Sequence, residues 1–161
     1  MKKKWLAAGL VAGLLLIGEA VARFALGLGD PPLSVAHPTI EYMYKPDQNV
    51  RPFGHKFIVN QYGMRSEYFP VRKSGKELRV MVFGDSVVNG GNLTDHADLA
   101  TTTLKNKLTD AYGENVRVRN ISAGRWGPGN WLAYAIEFGF FDADIVVLVI
   151  SSHDVFDNPT F

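Results

Sequence analysis

Hydrophobic and polar positions divide the 161-residue chain into three stretches of different character. After Lys2, Lys3 and Lys4, residues 5–17 carry no charge, and apolar character resumes over residues 20–28 with only Glu19 and Arg23 interrupting it. Residues 30–77 lack helical period. From residue 78 the pattern becomes regular. An apolar run at 78–83 stops abruptly at Gly84 and reads as a buried strand. Ala97, Leu99, Ala100, Leu104, Leu108 and Ala111 recur at helical spacing, predicting a helix over 97–112 that Gly113 terminates. Residues 116–119 alternate and predict a second strand, followed by a glycine-rich loop over 121–129. Asn130 is placed to cap a helix over 131–141. Residues 145–150, Ile-Val-Val-Leu-Val-Ile, predict a strand buried on both faces of a parallel sheet.

The resulting order is β-α-β-α-β with short connections. Right-handed crossovers then give an α/β fold with a doubly wound parallel sheet. Three loops fall at the carboxyl ends of its strands, where open α/β sheets place their sites. They are residues 84–86, 124–129 and 151–154. Each offers hydroxyls, free backbone N–H groups or polar side chains of the kind acyl transfer uses.

The first stretch reads as a membrane segment. An uncharged helix of residues 5–17 reaches about 20 Å, short of a hydrocarbon core of about 30 Å, but residues 5–28 make a full span. Glu19 and Arg23 lie four apart and can pair on one helix face. An uncleaved signal anchor is the expected reading, in competition with a signal peptide cleaved near Ala20-Val21-Ala22 and with a buried soluble helix. In either membrane-directed case the lysines stay cytoplasmic and the chain beyond Asp30 is exported, so an extracytoplasmic location is expected. Asp30-Pro31-Pro32 is the expected end of this helix. The sequence divides accordingly into an anchor over 1–29, a collar over 30–77 and an α/β part over 78–161.

The collar carries Pro31, Pro32, Pro38, Pro46, Pro52 and Pro70 among scattered aromatics. It is too aromatic for a disordered linker. An irregular segment packed on the main domain is expected, with a short strand at residues 57–59. His37 and His55 have no partner at metal-ligand spacing and read as surface histidines, and His96 reads as solvated in a polar loop.

Composition narrows the function. A hydrophobic fraction of 47% with 20% charged residues is globular, and the net charge of +1 gives no footprint for nucleic acid. The absence of cysteine excludes disulfides, cysteine-ligated zinc and thiol catalysis. No cofactor or metal signal is present.

Gly84-Asp85-Ser86 directly after the first strand resembles the first block of the SGNH/GDSL hydrolases, with Ser86 in the nucleophile's place. The loop opening at Asn120 is similar to the second block, which supplies an oxyanion-hole glycine. Gly127 is the favoured match and Gly124 the alternative. The third block, Gly-x-Asn-Asp, falls on residues 151–154, where the aspartate matches Asp154 while Ser151 and His153 replace the glycine and asparagine. Lys45-Pro46 and the Asn-x-x-Gly-x-Arg stretch at 60–65 resemble the membrane-anchored, exported branch. The resemblance implies a flavodoxin-like SGNH fold and a serine esterase or acyltransferase. Its substrate would be an acylated polysaccharide or lipid outside the cytoplasm.

On residues alone Ser86 reads as a nucleophile, a ligand donor or a helix cap. Asp85 reads chiefly as a turn-stabilising carboxylate, and Asp154 and Asp157 as loop caps. His153 reads as an oxyanion-hole donor, as a loop histidine, or as the base for Ser86. The family's late Asp-x-x-His, which supplies base and orienting carboxylate, does not occur in the sequence. An incomplete, N-terminal part of the hydrolase domain is therefore the expectation. The alternative is a non-catalytic, membrane-anchored envelope protein that uses the same scaffold for binding.

Overall fold

The N-terminal helix α1 (Lys2–Ala20) continues as a wider π turn over Val21–Ala25. The structure, a computed structural model, describes residues 2–113, 115–154 and 156. The 24-residue span has a mean hydropathy of 2.0 and none of it is buried against the rest of the chain. It is long and apolar enough to cross a membrane, a property that signal sequences share. The Arg23 guanidinium meets Glu19 at 2.5 Å, as their four-residue spacing requires. The helix stops at Ala25, ahead of the two prolines expected to end it.

The collar is more regular than its sequence suggests. β1 (Ser34–His37) pairs antiparallel with β2 (Glu41–Tyr44), and β3 (Gln48–Val50) pairs with β4 (Phe57–Val59). This corrects the expected irregular segment, although the strand expected at 57–59 is present as β4. Strands of three and four residues are too short for alternation to register as a period.

The α/β part runs β5 (Leu78–Gly84), α2 (Ser86–Asn89), α3 (Ala100–Tyr112), β6 (Val116–Ser122), α4 (Pro128–Phe138) and β7 (Ile145–Leu148). The three strands form one parallel sheet in the order β6-β5-β7. The two faces of the sheet follow from the period of two. Val80, Val82, Val116 and Val118 cluster on one side with Leu104 and Leu108 of α3. Met81, Phe83 and Ile121 cluster on the other with Trp131 and Tyr134 of α4. Ile40, Met43, Met64 and Phe69 of the collar join this second cluster, so the collar is part of the core.

Several expectations shift. α4 begins at Pro128, with Gly127 as its N-cap, and Asn130 lies inside its first turn, where its side chain caps the helix by accepting the Gly127 N–H. β6 extends to Ser122, three residues past the alternating run. β7 is not buried on both faces: Ile145 is 47% and Leu148 55% exposed. The centre of the sheet belongs to β5, and β7 has no second strand partner among the described residues. His96 is buried rather than solvated. It lies in a short 3-10 turn, His96–Asp98, under residues of the collar: its backbone N–H donates to the Lys56 carbonyl.

Candidate functional site at the strand ends

The register aligns the carboxyl ends of the strands. Gly84 stands opposite Ser122, and Phe83 opposite Leu148. β5 lies between a strand that follows it on one side and the next strand on the other, so the crevice beyond β5 and β7 is the point where connections diverge. Ser86 is the first residue of α2, immediately beyond β5.

The turn that carries Ser86 is tightly built. An ideal Cβ at Gly84 would lie 2.3 Å from Val88 Cγ2 and 2.8 Å from Val88 Cβ, so only glycine lets α2 close onto the strand end. The Trp131 indole N–H donates to the Gly84 carbonyl at 3.1 Å, tying α4 to the same point. Asp85 caps α2: one carboxylate oxygen accepts the Val87 N–H at 2.8 Å. Its other oxygen accepts the Ser151 hydroxyl at 3.3 Å, joining the loop beyond β7 to the turn beyond β5. α2 is held equally to β6. Asn89 Nδ2 donates to the Ser122 carbonyl at 3.1 Å, Asn120 Nδ2 donates to the Val88 carbonyl at 2.8 Å, and the Ser122 hydroxyl donates to Asn120 Oδ1. The Tyr44 hydroxyl of the collar donates to Asn89 Oδ1 at 3.1 Å.

Ser86 differs from all of these neighbours. It is exposed, and among the described residues its hydroxyl has no hydrogen-bond partner. Asp85, not Ser86, takes the capping role that was one reading of the serine.

The other expected site residues divide. Gly127 is buried, and its N–H donates to Asn130 Oδ1 at 2.9 Å, so that donor is already engaged within α4's first turn. Gly124 is partly exposed, its N–H has no partner among the described residues, and nothing lies within 4 Å of an added Cβ. His153 is exposed, and among the described residues only its carbonyl is engaged, accepting the Phe156 N–H at 3.0 Å. Asp154 is buried and accepts the Ser151 N–H at 2.5 Å, the loop-stabilising role expected of it, and its second carboxylate oxygen has no partner among the described residues. Asp157, with Asn158 and Pro159, lies outside the described residues.

Arg65 is the residue whose importance the sequence did not disclose. It is 1% exposed and donates to the carbonyls of Asn89, Gly91 at 2.6 Å and Thr94 at 2.5 Å. It also lies over the Phe57 ring at 4.0 Å. Burial lowers its pKa to about 10, which leaves it charged at neutral pH. It therefore fastens the loop after α2 to the collar. Its place in the Asn-x-x-Gly-x-Arg stretch was the available signal, but its partners lie 24–29 residues away.

Among the described residues no group of three or more His, Cys, Asp or Glu is placed to hold a metal ion. Neither a scan against protein-family models nor a search of curated proteins finds a match.

Proposed function

We propose that the chain carries the nucleophile of an SGNH-type serine esterase or acyltransferase, anchored by α1 with its bulk outside the cytoplasm. The observation that carries this reading is the contrast at the end of β5. Asp85, Val88 and Asn89 are all fastened, while the intervening Ser86 hydroxyl faces solvent unbonded. A rigid turn with one free hydroxyl is the arrangement a nucleophile needs.

In this reading Ser86 Oγ attacks an ester carbonyl, forming the acyl–oxygen bond as its proton passes to a base and the alcohol then leaves. The backbone N–H groups of Ser86 and Gly124 hold the oxyanion. Gly124 is preferred to Gly127 because the Gly127 N–H already serves Asn130. His153 stands at the family's asparagine position as a third donor. Each such donor contributes about 3 kcal/mol to transition-state stabilisation. The resemblance assigns the base to an Asp-x-x-His block that this sequence does not contain, so the proposal concerns the nucleophile half of the site. The doubly wound SGNH architecture fits the β6-β5-β7 order and the placement of α3 and α4 against opposite faces. An acylated polysaccharide or lipid is the substrate class the resemblance suggests.

One observation favours the non-catalytic envelope reading: no described histidine bonds to Ser86. Hydrolysis of a chromogenic acetyl ester by a membrane-embedded form of the protein that carries an Asp-x-x-His block separates the two. The esterase reading expects a rate that falls about a thousandfold or more in Ser86→Ala. Equal rates from the two proteins, or none above buffer from the parent, refute it.

A further inference from the structure

A cavity of about 20 Å³ lies between the collar, α3 and β6, away from the strand-end crevice. Arg65 and Glu67 come to it from the segment after β4, His96, Thr101 and Lys105 from α3 and the turn before it, and Arg119 from β6. Three of these side chains are formally cationic against a single carboxylate.

The buried donors are unevenly served. Arg119 is 2% exposed, yet its Nε and Nη2 have no hydrogen-bond partner. The carboxylate within ion-pair reach is Glu67, whose Oε2 stands 3.7 Å from Nη1 and is itself held by Lys105 at 3.2 Å, and Glu77 acts on Arg119 more weakly. Arg65 uses its Nη groups on three carbonyls and leaves Nε unpartnered. His96 Nδ1 is unpartnered as well. Leaving buried charged groups short of acceptors is costly, and natural interiors avoid it.

We propose that this cavity is a binding site for one small inorganic anion of halide size, chloride being the abundant candidate. The space is about that of a single water-sized particle, which favours a halide over phosphate, sulfate and carboxylates. A water accepts two hydrogen bonds and must place two protons of its own among groups that are mainly donors. A halide accepts from all sides and offsets the excess of positive charge. The anion joins Arg65 of the collar to Arg119 of the sheet. Since Arg65 holds the carbonyls that follow α2, the anion also stiffens the loop next to Ser86. The inference does not depend on Ser86 being catalytic.

The test is thermal unfolding of the full chain in a non-ionic detergent, with chloride replacing gluconate at constant ionic strength. Gluconate is too large for the cavity. The expected result is a saturable rise in Tm with chloride, and equally with bromide. Lys105→Gln, at the cavity's partly exposed rim, should raise the half-saturating chloride concentration by about threefold. Arg119→Leu, if it folds, should show no chloride response. Coincident chloride and gluconate curves for the parent protein overturn the proposal. So does a chloride response that Lys105→Gln leaves unchanged.

Discussion

Asp85 has both carboxylate oxygens engaged, one by the Val87 N–H and one by the Ser151 hydroxyl, while the adjacent Ser86 hydroxyl is unbonded and exposed. Asp85→Ala removes an N-cap and frees the loop beyond β7. It should lower stability by about 1–2 kcal/mol in chemical denaturation, whereas Asp85→Asn, which keeps an acceptor for the Val87 N–H, should recover most of that loss. Ser86 itself was legible in the sequence because a strand-turn-serine pattern is local. Arg65 and His96 were not. The three carbonyls that bind Arg65 belong to another part of the chain, and the polar neighbours of His96 conceal that the collar covers it.

At the scale of elements, the parallel strands and their helices were readable because each is continuous and periodic. Boundaries moved where tertiary contacts decided them. α4 starts early because Asn130 caps it from the third helical position by accepting the Gly127 N–H, and β6 runs on because Asn120 and Ser122 face bonding partners in α2. β7 departs from the expectation of burial on both faces because an apolar run gives no sign of which neighbours the sheet provides. α2 closes tightly onto the end of β5. Gly84→Ala should therefore push Val88 outward and cost about 1–3 kcal/mol. Gly124→Ala, with open space around it, should leave Tm within about a degree of the parent, since surface changes of this kind fall within ±0.5 kcal/mol. Equal losses from the two substitutions would contradict the packing described.

The whole molecule joins an apolar helix, buried nowhere on the protein, to a collar and sheet that share one core. The chain should fractionate with membranes and resist alkaline extraction; a soluble, shortened product would instead mark α1 as a cleaved signal. The core part also carries an acid-sensitive ion cluster. Burial pushes the Glu77 carboxyl upward, but hydrogen bonds and charge from Arg79 and Arg117 outweigh it and leave the pKa below 4.5. Hydrogen bonding to Lys73 and to the Arg79 N–H holds Asp144 below 3.8 in the same way. A carboxylate with a depressed native pKa stabilises the fold fully above its unfolded value, and this is lost as pH falls through the native one. Tm should thus be flat with respect to these groups above about pH 5 and decline below about pH 4.5. Glu77→Gln should flatten that decline.

The central claim is that the free hydroxyl beyond β5 is an activated nucleophile, and covalent labelling reads it directly. Membranes containing a form of the protein that carries the Asp-x-x-His block are treated with a fluorophosphonate probe, and the adduct is located by peptide mass spectrometry. The account predicts one adduct on Ser86 and none in Ser86→Ala. Equal labelling of both proteins, or an unlabelled Ser86 in a folded and membrane-inserted chain, would contradict it.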